Sequence, residues 1–137
     1  MTLRSLLLTL LLLVMEAAAV HAQIYVDARR INGQNDGTSW ADAYTDLQDA
    51  LAVATGTDEI WIAEGTYRPG TDRSDSFTIT GAQDGLKIYG GFAGTEQERS
   101  QRDPVAHEVV LSGDVGDANV FSDNSYHVVT IDGRSQE

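Results

Sequence analysis

The chain has 137 residues, enough for about one domain. It carries 9 lysine and arginine residues against 21 aspartate and glutamate residues, a formal net charge of −12. This excess of acid argues against nucleic acids and anionic membrane surfaces as partners, because both require a basic footprint. The sequence contains no cysteine, which excludes disulfides, cysteine-ligated zinc and a thiol nucleophile.

Residues 1–22 have the features of a secretory signal peptide. Arg4 provides the positive start, a leucine-rich apolar stretch follows, and small residues precede a predicted cut after Ala22. We therefore predict a secreted or cell-surface protein with no membrane span after leader cleavage. The alternative is an uncleaved membrane anchor, for which the apolar stretch is short and is interrupted by Glu16.

Residues 23–56 are predicted to form an N-terminal strand and one amphipathic helix. The β-rich run at 24–26 predicts the strand, Ser39 is the expected N-cap of the helix, and Gly56 is expected to end it. Small and apolar residues recur at helical spacing and form one stripe, which comprises Ala43, Leu47, Ala50, Leu51 and Ala54.

Residues 57–137 contain only short strand-like runs separated by glycines. The predicted strands are residues 59–63, 77–80, 86–89, 109–111 and 127–131. Four runs open at Ile60, Leu86, Val109 and Val128, with gaps of 26, 23 and 19 residues. This spacing is typical of a β-solenoid, in which each turn of chain stacks on the one before it. An ordinary antiparallel sandwich is the alternative.

The amphipathic helix precedes the first of these predicted turns of chain. The open end of a solenoid exposes apolar side chains and unpaired strand edges, and both promote aggregation. We therefore expect the helix to cover that end, as terminal elements do in repeat proteins.

Several stretches, spread over most of the chain after residue 22, match the sequence pattern of a known protein class in the same order. They are YVD at 25–27, GTSWADAYTDLQDAL at 37–51, DEIWIAEGTYRPG at 58–70, LKIYGGFAGTE at 86–96, QRDP at 101–104, LSGDVGD at 111–117 and DNSYHVVTIDG at 123–133. On these residues the chain resembles the N-terminal part of secreted bacterial right-handed parallel β-helix proteins of the pectate-lyase-like class.

This resemblance implies an all-β fold, a right-handed parallel β-helix that begins with an N-terminal capping helix. In this sequence the β-helix would stop after about four or five coils. The domains would be the signal peptide at 1–22, the strand and capping helix at 23–56, and the first coils at 57–137. The resemblance implies less about activity, because the class includes polysaccharide lyases, glycoside hydrolases and adhesins. We predict a non-catalytic secreted or cell-surface module with a structural or adhesive role. The alternatives are the N-terminal segment of a polysaccharide lyase or glycoside hydrolase with catalytic coils beyond residue 137, and a calcium-stabilised surface module.

An acidic segment after the fourth predicted strand, residues 109–111, is the candidate metal site. It holds five oxygen-bearing side chains, those of Asp114, Asp117, Asn119, Asp123 and Asn124, which suit Ca²⁺ because the ion prefers carboxylate and amide oxygens. The predicted calcium ligands among them are Asp114, Asp117, Asn119 and Asp123. The alternative is a solvated turn, because aspartate and asparagine residues form local turns by themselves. Calcium is the one cofactor that the sequence suggests.

We predict no catalytic residues in this chain. Lys87 is the sole lysine and lies inside a predicted strand, away from any obvious acidic constellation. Tyr67 and Tyr126 are the aromatic residues predicted to be exposed, whereas Trp61 is expected to pack in the core. Expected partners are an extracellular polysaccharide or cell-surface component, and a second copy joined through the open edge of the last coil.

Overall fold

The computed structural model describes residues 21–133, so the predicted signal peptide lies almost entirely outside the described residues. Within residues 21–133 there are seven strands and one α-helix. Their bounds are β1 Gln23–Val26, α1 Leu47–Val53, β2 Glu59–Ala63, β3 Gly65–Tyr67, β4 Phe77–Thr80, β5 Lys87–Phe92, β6 Val109–Leu111 and β7 Val129–Asp132. Short 3₁₀ turns occupy Gly81–Gln83 and Arg99–Gln101.

The strands form three small sheets, and the strand pairs in them are parallel. The first sheet has the order β1-β2-β5, the second pairs β3 with β6, and the third pairs β4 with β7. In the first sheet Ile60 lies between Ile24 and Ile88. Every strand is paired with a partner distant in the chain, so the sheets depend on long-range contacts.

The predicted solenoid class is wrong. The described residues form a small mixed fold with three separate parallel sheets of two or three strands and a helix, without a closed or solenoid sheet. The run at Ile60 does pair with the run after Leu86, but Val109 pairs with Gly65 and Val129 with Phe77. Similar spacing along the chain therefore did not place the four runs in one ladder.

The antiparallel sandwich is also wrong, because β4 and β5 lie in different sheets rather than in a hairpin. The predicted boundaries 23–56 and 57–137 stay predictions.

The helix is shorter than the sequence predicted, and it does not begin at Ser39. Asp42 accepts hydrogen bonds from the main-chain N–H of Gln34 and from the Ser39 hydroxyl, so it closes a loop instead of extending a helix. The N-cap is Asp46, whose carboxylate accepts from the N–H of Gln48 at 2.8 Å. No helix within residues 21–133 is long and apolar enough to span a membrane.

The helix contributes to the main core, so its predicted role as a cap over the end of a solenoid is also wrong. Its residues Leu47 and Leu51 are buried and belong to one apolar cluster with residues of β1, β2 and β4. The cluster comprises Ile24, Val26, Leu47, Ala50, Leu51, Ala54, Ile60, Ile62, Tyr67 and Phe77. Since side chains alternate along a strand, β1 and β2 direct their other residues to the opposite face of the first sheet. That opposite face carries the main recess described below.

Candidate functional site

A recess lies over the outer face of the first sheet, and we call it the outer groove. Its volume is about 750 Å³, and its walls come from β1, β2 and the segment that follows β5. The lining residues are Gln23, Glu59, Trp61, Gln97, Glu98, Arg99, Ser100, Arg102 and Pro104. The segment around Gln97 to Pro104 therefore forms one wall, and the sheet forms the floor.

An aromatic cluster supports the floor of the outer groove. Trp61 is buried and stacks on Phe92, with ring centroids 4.8 Å apart and planes within 8° of parallel. The Tyr25 ring makes edge-to-face contacts with Trp61 and Trp40, and its centroid lies 5.9 Å and 4.8 Å from theirs. Offset and edge-to-face contacts of this kind stabilise aromatic clusters beyond the area they bury. The floor is therefore a packed second core rather than a loose surface.

Charged residues form a connected rim around Glu59. The Arg99 guanidinium donates to a Glu59 carboxylate oxygen at 3.0 Å and to the Tyr89 hydroxyl at 3.1 Å. The indole N–H of Trp61 donates to the other Glu59 oxygen at 3.1 Å. The guanidinium groups of Arg99 and Arg102 lie 4.9 Å and 5.4 Å from the Tyr89 ring centroid. Such cation–π contacts orient both arginines without removing them from solvent.

A second recess continues the outer groove at Gln97, which lines both. It has a volume of about 540 Å³ and includes the half-buried rings of Tyr25 and Trp40. Trp40 is held there by a hydrogen bond from its indole N–H to the carbonyl of Glu96 at 2.8 Å. The two recesses together form an extended surface of aromatic rings, amides and charged groups.

A second polar network joins the end of β1 to the corner between β2 and β3. Asp27 is buried and accepts from the Arg29 guanidinium at 2.8 Å, and Arg29 also donates to Glu64 at 2.6 Å. His107 Nδ1 lies 2.8 Å from the second Glu64 oxygen. The hydrogen bond with His107, aided by Arg29, holds the pKa of Glu64 below its ordinary value. This network was not predicted, because its members are up to 80 residues apart in the chain.

The predicted calcium ligands lie in the acidic loop, residues 112–126, between β6 and β7. Asp123 accepts from the N–H of Asp117 at 2.8 Å, while the Asp117 residue itself is exposed. Asn119 is also exposed and has a φ of 69°, a left-handed turn conformation that asparagine tolerates. Asp114 and Asp123 are only partly exposed. The loop thus brings some of the predicted ligands into its interior and leaves the others at its surface.

Within residues 21–133 there is no group of three or more histidine, aspartate or glutamate residues that could hold a metal ion. A site built on these three residue types alone is therefore not found in the described part of the chain.

Of the two aromatic residues predicted to be exposed, Tyr126 is exposed and Tyr67 is not. Tyr126 is 65% exposed, with the Arg73 guanidinium 4.4 Å from its ring centroid. Tyr67 is buried instead, and its hydroxyl donates to the carbonyl of Ala63 at 2.8 Å. Burial raises the pKa of Tyr67 to about 12. The prediction for Tyr67 is wrong because the residue ends β3, whose pairing the sequence did not indicate.

Comparisons with known proteins add no relative. No protein-family model matches the chain, and searches of curated proteins and of solved structures find no match to it. The resemblance to pectate-lyase-like proteins is therefore a sequence-based prediction that no comparison tests.

Proposed function

We propose that this chain is a secreted or cell-surface, non-catalytic module that binds an extracellular polysaccharide in a structural or adhesive role. The observation that carries the proposal is the outer groove with its rim of Glu59, Arg99 and Arg102 beside Tyr89. An open recess of this kind admits a chain that extends beyond it at both ends, as a polymer does.

The chemistry of the rim favours a sugar polymer that carries acidic groups. Arginine presents several N–H donors in a fixed plane, and this arrangement matches carboxylates and neighbouring hydroxyls. Lys87, Arg99 and Arg102 all contribute to this side of the first sheet, and Lys87 Nζ lies 4.0 Å from Glu59. The rim therefore gathers three cationic side chains on one surface of a chain whose formal net charge is −12.

The hydrogen bonds of the Glu59 carboxylate in the outer groove favour binding over catalysis. Both oxygens of Glu59 accept N–H donors, one from Trp61 and one from Arg99. A general acid or base must reach the reacting atom directly, and Glu59 would first have to give up these two partners.

Binding is tested by calorimetry or affinity electrophoresis with polygalacturonate as the acidic polymer and dextran as the neutral one. We expect the purified chain to bind polygalacturonate more tightly, with an affinity that falls as salt rises. A charge-assisted hydrogen bond contributes about 1.5–3 kcal/mol, so Arg102→Gln should weaken binding by roughly tenfold or more. Arg73→Gln, outside the outer groove, is the matched control.

Two results would overturn the polysaccharide proposal. Equal binding of polygalacturonate by Arg102→Gln and Arg73→Gln would show that the outer groove is not the binding site. Release of new reducing ends or unsaturated sugars from the polymer would show that the chain is catalytic.

The proposed secretion has its own support in the chain. Strand β1 begins at Gln23, which is the residue that predicted cleavage would leave first. N-terminal sequencing of the protein exported by its native cells should therefore begin at Gln23. A product that retains residues 1–22 would contradict the proposal of a cleaved leader.

Self-association through strand edges is part of the proposal. Among the described residues, β5, β6 and β7 each pair with one neighbour only, and the side chains of Val110, Val129 and Ile131 on β6 and β7 are partly or largely exposed. Unpaired edges with apolar side chains favour pairing with another strand. Sedimentation velocity over a concentration series should show association that Ile131→Lys reduces, and a concentration-independent monomer would refute it.

A further inference from the structure

The acidic loop folds back on itself so that residues 112–117 and 123–126 run side by side. The main-chain N–H of Ser125 donates to the carbonyl of Gly113 at 2.8 Å. The N–H of Asp117 donates to one carboxylate oxygen of Asp123, also at 2.8 Å. These two contacts hold the segments together between β6 and β7. The side chains of Ser125 and Asp123 lie against the first segment, since a Cβ added at Gly113 or Gly116 would meet them within 3 Å.

Four side-chain oxygens in this loop have almost no solvent-accessible surface and no hydrogen-bond partner among the described residues. They are Asp114 Oδ1, Asp123 Oδ1, Asn124 Oδ1 and Ser125 Oγ. Only two other buried side-chain atoms in residues 21–133 share this condition. Buried acceptors are nearly always satisfied in native proteins, and an unsatisfied one indicates a bound water or ion. Four of the six such atoms belong to twelve consecutive residues of one loop, which makes this loop the strongest candidate in residues 21–133 for a ligand that oxygens bind.

The charges of the loop point to a cation. Two of the four oxygens belong to carboxylates, Asp114 and Asp123. Two arginines reach the loop, but their Nε atoms donate to main-chain carbonyls instead of to these carboxylates. Arg68 binds the carbonyl of Asp114, and Arg73 binds the carbonyl of Asn124. The carboxylate oxygens in the interior thus stay without a positive partner among the described residues.

We propose that Asp114, Asp123, Asn124 and Ser125 bind one Ca²⁺ ion. The donor atoms are all oxygens from carboxylate, amide and hydroxyl groups, which suit a hard cation that tolerates irregular geometry. This site keeps two residues of the ligand set predicted from sequence and replaces Asp117 and Asn119 by Asn124 and Ser125. Ca²⁺ at this position would hold the two segments of the loop together and order the chain that enters β7.

The test is a Ca²⁺ titration of the chelator-treated full chain, followed by calorimetry and by thermal unfolding. We expect one ion per chain and a rise in midpoint of roughly 10 °C at about a hundredfold excess over the dissociation constant. Asp114→Asn with Asp123→Asn should abolish both effects. Asp49→Asn with Asp84→Asn removes the same charge at exposed positions and should keep them.

Three outcomes would overturn the calcium proposal. They are no binding by the unaltered chain, an equal response of the two double variants, and an equal rise in midpoint with Mg²⁺. If the first double variant does not fold, Ser125→Ala provides the measurement, because it removes one neutral donor. Its Ca²⁺ affinity should fall at least severalfold, and an unchanged affinity would count against the site. Polysaccharide binding is measured separately and does not depend on this result.

Discussion

Replacing Trp61 by alanine should be among the most destabilising single changes on the outer face of the first sheet. The side chain is 1% exposed, stacks on Phe92 and donates a hydrogen bond to Glu59. Alanine would remove the ring and leave a cavity between the sheet and the segment after β5. The change therefore tests whether the aromatic cluster is a true second core.

The expected cost follows from the type of contact. Truncating a buried tryptophan or phenylalanine to alanine costs about 3–5 kcal/mol, against a total stability on the order of 10 kcal/mol for a domain of this size. Trp61→Phe keeps the stacked ring and loses the N–H bond to Glu59, so it should cost about 1–2 kcal/mol. The difference between the two variants isolates the contribution of the ring.

Urea unfolding followed by circular dichroism measures both free energies. With a slope of about 1–3 kcal/mol per molar, Trp61→Ala should lower the midpoint by roughly 2 M. Val105→Ala, at a residue that is 94% exposed, is the control and should leave the midpoint nearly unchanged. A loss below about 1 kcal/mol for Trp61→Ala, or equal losses for the alanine and phenylalanine variants, would refute a packed aromatic cluster.

Three further changes test other parts of the fold. Burial opposes ionisation of Glu96, but hydrogen bonds from the main-chain amides of residues 93–95 hold its pKa below the ordinary 4.5. Its stabilising contribution is therefore complete above about pH 5 and is lost as the pH falls through the lowered pKa, so Glu96→Gln should flatten the acid side of a stability–pH profile. Gly94 has a φ of +95°, and an added Cβ would lie 2.9 Å from a carboxylate oxygen of Asp27, so Gly94→Ala should lower stability by about 1–2 kcal/mol in a thermal melt. Gly133→Ala, where an added Cβ would have no atom of residues 21–133 within 4 Å, should not. Gln83 donates to a main-chain carbonyl of α1 at 2.6 Å, so Gln83→Ala should cost about 2 kcal/mol and speed amide exchange at the end of α1.

Much of the secondary structure could be predicted from local pattern. The predicted strands 59–63, 77–80 and 109–111 coincide with β2, β4 and β6, because β-branched and aromatic runs between glycines favour extended chain. Strand β3 was missed, since a three-residue segment that begins with Gly65 has no apolar run. It is a strand because β6 pairs with it.

The candidate sites were only partly predictable. The acidic loop could be recognised because its carboxylate and amide side chains, Asn124 among them, are close together in the chain, and of the proposed ligands Ser125 alone was not considered from the sequence. The outer groove could not be located in this way. Its central pair, Arg99 and Glu59, is separated by 40 residues, and no local pattern joins them.

The sequence by itself determined the acidic charge, the absence of thiol chemistry, the bounds of β2, β4 and β6, and the face of α1 that is buried. These properties depend on composition and on the periodicity of neighbouring residues, which act over a few positions. The tertiary structure alone decided which strands pair, that the apolar runs divide among three sheets, and that Glu59, Arg99 and Trp61 meet. Main-chain hydrogen bonds between strands are nearly independent of side-chain identity, so the pairing is selected by the packing of the whole chain and not by the spacing of its runs.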